Sequence, residues 1–341
     1  MVQNRYSWCR HLLAFGPVLW GPALAASPSV FAPAAPEANR VASWGLTLFG
    51  IAGVVFAVVL VLLLYAVLRR GRGQQGAYHG PLPGRRERRW FTFVVIAGGI
   101  VPAVTLSTVM GINVYGEARL AREAARPRLA VQVIGHQWWW EVYYPGEGFS
   151  TANELHVPVG QPVEVKLTTG DVIHSFWVPQ LSPKYDLIPG QTNTLTFTAE
   201  RAGTYRGQCA EFCGLQHAHM ALTVVADAPR DYAAWAARQR QPAPSPAAGS
   251  DAFRGQQIFL GSACVYCHAV RGTNASSRLG PDLTHLASRG MIGAGTLCNN
   301  SGNLAGWVVN AQAVKPGNKM PPMYLSADEL HSLMSYLQSL R

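Results

Sequence analysis

The segment Cys209-Ala-Glu-Phe-Cys-Gly-Leu-Gln-His-Ala-His-Met220 places two cysteines, two histidines and a methionine close together. Another histidine lies upstream, in Asp171-Val-Ile-His-Ser-Phe176. Thiolates, a thioether and imidazoles form a ligand set that selects copper, zinc or an iron–sulfur cluster. The pattern therefore predicts a metal centre that this segment builds together with His174.

These residues alone leave several kinds of site open. A structural zinc site uses two cysteines and two histidines, and two close cysteines in an exported domain can also form a disulfide. A single-copper electron carrier needs two histidines, one cysteine and a weak axial methionine. The segment holds that set and one cysteine more, and two thiolates are able to bridge two copper ions.

The residues around this segment are typical of a β domain. Residues 128–226 contain short β-branched runs that are separated by glycines and prolines. A stretch of about 100 residues with this pattern predicts a sandwich or a barrel.

Two uncharged apolar runs, residues 44–68 and 90–115, precede the β region. About 20 such residues are enough for a helix to cross a bilayer. Residues 69–89 between them carry seven arginines and one glutamate. The positive-inside rule places that loop in the cytoplasm, and it places everything after the second helix outside. We therefore expect a two-helix transmembrane hairpin in the lipid bilayer.

The amino-terminal residues 1–25 have the pattern of a signal peptide. Arg5 and Arg10 precede a short apolar run, and Ala23-Leu-Ala25 fits a cleavage site. A first transmembrane helix is the alternative, but the apolar run is short for a membrane crossing.

The net charge of +10 comes mainly from the first third of the chain. Residues 116–341 hold 18 lysines and arginines against 16 aspartates and glutamates. A basic cluster between two apolar runs is a signal of membrane topology, so we expect no nucleic-acid partner.

The carboxyl-terminal third predicts a second redox domain. Residues 227–250 form a linker rich in proline and alanine, and residues 251–341 contain Cys264-Val-Tyr-Cys-His268. This C-x-x-C-H pattern attaches a c-type haem through two thioethers, with the histidine as an axial ligand. Met320 is the candidate second ligand, with Met323 as its rival, and a Met/His pair gives a high reduction potential.

The transmembrane hairpin and the β region together resemble subunit II of the haem–copper cytochrome c oxidases. The resemblance is carried by the copper segment, by Asp171–Phe176, by Gly135-His-Gln-Trp-Trp-Trp140 and by Asp186-Leu-Ile-Pro-Gly190. It implies a cupredoxin-like Greek-key sandwich with a dinuclear copper (CuA) centre. The implied copper ligands are His174, Cys209, Cys213, His217, Met220 and the main-chain carbonyl of Glu211.

The same resemblance assigns three further roles. The Glu211 side chain resembles a ligand to Mg²⁺ or Mn²⁺ at the boundary with subunit I. Trp138 corresponds to the site where electrons enter, whereas Trp139 and Trp140 are expected to pack in the core. Glu87 resembles a glutamate at the mouth of a proton pathway, although a solvated charge among arginines is an equal explanation.

Residues 251–341 resemble the all-α class I cytochromes c, with haem c attached at Cys264 and Cys267 and ligated by His268 and Met320. Gly280-Pro-Asp-Leu283 matches the loop whose proline carbonyl orients the axial histidine. Together the two resemblances indicate subunit II of a caa3-type oxidase in a bacterial inner membrane. Its expected partners are subunits I and III, and a cytochrome c or another high-potential donor, either soluble or membrane-bound.

Three other classes of protein share part of this pattern. A quinol oxidase subunit lacks the copper ligands, and a nitrous oxide reductase needs a large catalytic propeller that this sequence does not contain. A membrane-anchored redox carrier that works outside an oxidase stays open at this point.

Overall fold

The computed structural model describes residues 28–70, 84–123 and 129–341. The expected signal peptide, residues 1–25, and most of the expected cytoplasmic loop lie outside the described residues. The chain divides into two compact units, of which one is Gly45–Arg126 and the other contains the two globular domains.

Among the described residues, two helices are long and apolar enough to cross a membrane. The first, α1, is Pro36–Arg70, and the second consists of α2 (Arg85–Val95), a π-helical turn (Ile96–Ile100) and α3 (Val101–Glu123). Their apolar parts have mean hydropathies of 3.1 and 2.1, and none of that surface is buried by protein. Both helices extend beyond the predicted spans, because helical hydrogen bonding continues past the point where apolar residues end.

The first globular domain is a sandwich of two five-stranded sheets. One sheet has the order β3-β2-β1-β5-β8 and the other the order β4-β10-β9-β6-β7. The strands are β1 (Leu129–His136), β2 (Trp139–Tyr144), β3 (Phe149–Ala152), β4 (Glu154–Pro158), β5 (Val163–Thr169), β6 (His174–Trp177), β7 (Tyr185–Leu187), β8 (Asn193–Phe197), β9 (Gly203–Cys209) and β10 (Ala221–Asp227).

Strand β5 shows why this sequence forms a sandwich. Val163, Val165 and Leu167 are fully buried, whereas Glu164 and Lys166 between them are not. Alternation with a period of two directs every second side chain to the same face of a strand. The apolar faces of both sheets meet in one core, so the domain has the cupredoxin-like architecture that the sequence predicts.

The sandwich is followed by helix α4 (Pro229–Arg240), which covers the end of the core with Trp235 stacked on His156 at 4.1 Å between ring centroids. Residues 241–250 then run without regular secondary structure to the second domain. The predicted linker, residues 227–250, therefore contains a full helix that is part of the sandwich packing.

The second domain is helical, as predicted, and consists of α5 (Asp251–Gly261), α6 (Ser301–Val314) and α7 (Ala327–Ser339). It also contains a small ribbon of β11 (Met291–Ile292) and β12 (Leu297–Cys298). Helices α5 and α7 cross closely at Gly255, where an added Cβ would lie 1.9 Å from the carbonyl oxygen of Ser332. Only glycine permits this approach.

The two globular domains belong to one compact unit and pack directly on each other. Main-chain hydrogen bonds join Ala221 N to Ala294 O over 2.9 Å, and Gly290 N donates to the Glu154 carboxylate over 2.8 Å. An ion pair between Arg278 and the buried Glu141 adds a contact at the edge. The haem-type domain is thus docked on the sandwich rather than held only by its linker.

Candidate metal centre and haem pocket

Two neighbouring strands and one loop assemble the predicted copper ligands. His174 begins β6 and Cys209 ends β9, and these strands are paired with Phe176 opposite Cys209. The loop after β9 folds back so that Cys213 and Met220 are also buried. Strand pairing therefore brings together residues that are 35 positions apart in the chain.

The distances between donor atoms suit a compact metal centre. The Sγ atoms of Cys209 and Cys213 lie 3.8 Å apart. Nδ1 of His174 is 3.9 Å from Cys209 Sγ, and Nδ1 of His217 is 3.7 Å from Cys213 Sγ. Met220 Sδ is 3.8 Å from Cys213 Sγ. All five predicted side chains converge, and both cysteines are free rather than joined in a disulfide.

The two thiols show that this cluster fits a bound cation. A hydrogen bond with Cys213 lowers the pKa of Cys209, whereas the resulting thiolate raises the pKa of Cys213. Two thiolates so close together repel each other in a buried site, unless a metal ion compensates both charges. The ligand set, with two sulfurs and two imidazoles, is one that copper prefers.

Asp171 orients the first histidine from outside the cluster. Its carboxylate accepts a hydrogen bond from His174 Nε2 over 2.8 Å, which leaves Nδ1 directed at Cys209. Burial alone would raise the pKa of Asp171. Hydrogen bonds from His174 and from the amides of Gln137 and Val172 outweigh burial, and they hold that pKa well below its usual range. Such a partner fixes the tautomer of a ligating histidine.

Gly135 gives His174 the space that it occupies. A Cβ at this position on β1 would lie 2.7 Å from His174 Cδ2. No role was predicted for Gly135 or for the Asp171 carboxylate, although both lie within the motifs that carry the family resemblance. A glycine in a β-branched strand is the one signal that could have identified this close approach.

The main chain and the side chain of Glu211 lie in different surroundings. Its main-chain oxygen lies 3.2 Å from Cys209 Sγ, within the cluster. Its half-exposed side chain points elsewhere and lies 4.0 Å from Lys184 Nζ. His219, which is not among the implied copper ligands, has its Nδ1 atom 2.9 Å from Gln216 Oε1.

The three tryptophans have distinct surroundings. Trp140 is fully buried and meets His174 edge-on, with 6.0 Å between ring centroids. Trp139 stacks on His136 at 4.5 Å. The buried Trp138 donates a hydrogen bond from Nε1 to the carbonyl oxygen of Cys213 over 2.9 Å. Only Trp138 of the three is hydrogen-bonded to a predicted copper ligand.

A large cavity in the second domain fits a haem. Its lining includes the free thiols of Cys264 and Cys267, together with His268 and Met320. Nδ1 of His268 lies 2.8 Å from Pro281 O, so Nε2 is the nitrogen left for a metal. Burial lowers the pKa of His268, which favours the neutral imidazole that binds iron. Met323 also lines the cavity.

The sandwich closes one side of this cavity. His136, Trp138 and Trp139 contribute to the same lining as the cysteines of the haem motif. Trp138 therefore lines the haem cavity, and its Nε1 atom is hydrogen-bonded to the carbonyl oxygen of Cys213. Glu87 lies in the first turn of α2, in the other compact unit, and its side chain is outside what the structure describes.

Comparison with known proteins agrees with both halves of this site. Residues 147–227 match the family described as cytochrome c oxidase subunit II, periplasmic domain, and residues 252–341 match the cytochrome c family. A solved periplasmic domain of cytochrome oxidase subunit II from Bradyrhizobium japonicum shares 31% identity. It covers 34% of this chain and 96% of its own, with a TM-score of 0.33.

Two curated relatives extend over nearly the whole chain. Cytochrome c oxidase subunit 2 of Alkalihalophilus pseudofirmus is 32% identical over 84% of this chain and 83% of its own length. The Bacillus subtilis protein of the same name is 30% identical, over 82% and 83%. The chain therefore belongs to the cytochrome c oxidase subunit 2 family, as a membrane-associated member with a copper site in its sandwich and a haem in its fused cytochrome c domain.

Proposed function

We propose that the chain is the electron-accepting subunit of a caa3-type cytochrome c oxidase, and that electrons pass from its haem to its copper centre and on to subunit I. The haem and the copper supply one-electron redox chemistry when bound. The observation that carries the proposal is the position of Trp138, which lines the haem cavity and is hydrogen-bonded to Cys213.

Trp138 connects the two sites directly. The residue borders the cavity, and its indole N–H donates a hydrogen bond to the carbonyl group of a proposed copper ligand. The Gln137 side chain donates to the same carbonyl over 2.9 Å, which holds the copper loop against this part of β1–β2. Buried side chains here exclude water and keep the contact fixed.

Two copper ions would be held by Cys209 and Cys213 together with His174, His217, Met220 and the Glu211 carbonyl. Haem c would be attached to Cys264 and Cys267 of the cytochrome domain, and His268 and Met320 would ligate its iron. The Glu211 carboxylate contributes to a Mg²⁺ or Mn²⁺ site at the subunit I boundary.

In the membrane, residues 44–68 and 90–115 span the bilayer of a bacterial inner membrane. Residues 69–89 face the cytoplasm, and residues 1–25 are a signal peptide. The copper domain (128–226) and the cytochrome domain (251–341) then lie on the outer side. There they accept electrons from a cytochrome c or another high-potential donor. Within the membrane the chain assembles with subunits I and III. Subunit I reduces O₂ and pumps protons.

A membrane-anchored carrier outside an oxidase is the competing function. Co-purification of the chain with a multi-span haem protein would separate the two, because only an oxidase subunit needs that partner.

Metal analysis tests the copper count. The purified chain is expected to contain two copper atoms for each covalent haem, because two thiolates and two imidazoles are arranged as a pair of sites. The measurement is elemental analysis together with the haem absorbance. Zinc in place of copper, or one copper per haem, contradicts the dinuclear assignment.

Replacing Asp171 tests the support of His174. Asp171→Asn removes a charged acceptor from the His174 ring, so copper affinity should fall by about 10–100-fold. Competition with a chelator of known affinity measures the change. Asp231→Asn, an exposed position in α4, is the control with the same chemical substitution. Equal affinities in the two variants would show that Asp171 does not support the site.

Replacing Trp138 tests the route of the electron. Trp138→Phe removes the hydrogen bond to Cys213 and part of the ring, so transfer from haem to copper should slow by about tenfold or more, equivalent to about 1.4 kcal/mol in the barrier. Flash-induced kinetics measure the rate. Trp139→Phe also makes a side chain in the cavity lining smaller but breaks no such hydrogen bond, so the transfer rate should fall less. Equal rates in Trp138→Phe and the unaltered chain would exclude this route.

Glu87 is tested separately in the intact complex. If it lies at the start of a proton pathway, Glu87→Gln should lower steady-state turnover while metal and haem contents stay unchanged. Arg85→Gln in the same helical turn controls for loss of a charge. Normal turnover of Glu87→Gln would leave this residue as a solvated charge.

A further inference from the structure

Lys315 is a buried cation at the boundary between the two globular domains. It follows the last residue of α6, in the cytochrome domain, and only 2% of its surface is exposed. Lysine is almost never fully buried unless its ammonium group is paired. Its position therefore requires a specific set of partners.

Three carbonyl oxygens surround the ammonium group. Nζ lies 2.8 Å from Trp138 O, 2.8 Å from His219 O and 3.2 Å from Gly293 O. An ammonium group has three N–H donors, so all of them are used. Two of the three acceptors belong to the copper domain, and the third belongs to the cytochrome domain itself.

The two carbonyl acceptors in the copper domain belong to Trp138 and His219, which lie close to the predicted copper ligands. Trp138 borders the haem cavity and is bonded to Cys213. His219 lies in the copper loop, beside Met220. The Lys315 ammonium group therefore binds both the main chain of Trp138, on the proposed electron path, and the main chain of His219, in the copper loop.

The residues after Lys315 extend the same contact. Gln216 Nε2 donates to Pro316 O over 2.7 Å. A Cβ on Gly317 would lie 3.0 Å from Leu215 Cδ1, so the two loops are in close contact. This segment continues directly to Met320 in the cavity lining. The loop that presents the predicted haem ligand is therefore packed on the loop that presents the copper ligands.

We propose that Lys315 is a positioning residue, whose ammonium group fixes the Met320 loop of the cytochrome domain against Trp138 and the copper loop. The role follows from geometry, because two of its charged hydrogen bonds cross the domain boundary and both end beside the copper ligands. Its kinetic consequence rests on the proposed electron route, whereas its effect on docking does not.

The charge state of Lys315 is compatible with this role. Burial lowers its pKa to about 8. The ammonium form therefore predominates at neutral pH and below. Hydrogen bonds from a charged donor are stronger than those between neutral groups.

The test replaces Lys315 by methionine in the full-length, metal-loaded chain. Lys315→Met keeps an unbranched side chain and removes all three donors. Amide hydrogen exchange of residues 286–298 and 215–222 should accelerate by at least about tenfold, because each charged hydrogen bond is worth more than a factor of ten. Exchange in the α5–α7 core and the optical spectra of both centres should stay unchanged.

The kinetic arm measures haem-to-copper transfer in the same variant. Transfer should slow by about tenfold or more as the docked state becomes less populated. Lys166→Met, on an exposed position of β5, is the matched control and should alter neither exchange nor transfer. If Lys315→Met fails to fold, Lys315→Gln keeps two donors without the charge and should show the same changes at smaller size.

The outcomes separate this inference from the proposed function. Unchanged exchange at the boundary overturns the role of Lys315, whatever the transfer rate is. Faster exchange with unchanged transfer supports the role of Lys315 in positioning the two loops and contradicts the proposed electron route instead. Slower transfer in Lys315→Met with normal transfer in Trp138→Phe would retain Lys315 as the positioning residue and discard the Trp138 route.

Discussion

The hydrogen bond between Trp138 Nε1 and the carbonyl oxygen of Cys213 is the contact on which the arrangement of the two redox sites depends. It joins the wall of the haem cavity to the loop that carries most of the proposed copper ligands. The same carbonyl accepts from Gln137, and the carbonyl of Trp138 accepts from Lys315. A short stretch of main chain therefore links β1–β2, the copper loop and the cytochrome domain, so none of the three can move without disturbing the others.

The proposed copper ligands lie partly on strands and partly on a loop. The strands β6 and β9 fix His174 and Cys209 through their backbone pairing, whereas the remaining ligands come from a loop. Strands place their residues with little freedom, and a loop needs additional contacts to be held equally well. Here those contacts are Asp171 behind His174 and the domain that packs on the loop. The second domain is in this sense part of the support of the first domain's metal site.

The side chains that converge in the sandwich and the order of the domains could be predicted from the sequence, because both depend on local signals. Spaced cysteines and histidines, apolar runs and alternating strands are visible without a fold. The docking of the domains was not predictable in the same way. Residues 241–250 indicated an extended tether, and nothing in the sequence around Lys315 shows that its side chain ends among carbonyls of another domain. Gly135 and Asp171 were likewise quoted without a role, since the close approach of one strand to His174 exists only after the sheets have formed.

The shared wall of the haem cavity has a thermodynamic consequence. Since His136, Trp138 and Trp139 line a cavity that otherwise belongs to the cytochrome domain, occupancy of that cavity and docking of the domain are linked equilibria. A haem in this cavity would contact side chains of both domains and would therefore favour the docked form. Linkage is reciprocal, so a copper loop held in place by docking must strengthen docking to the same degree when its own metal is bound. Loading either cofactor thus lowers the free-energy cost of organising the site of the other.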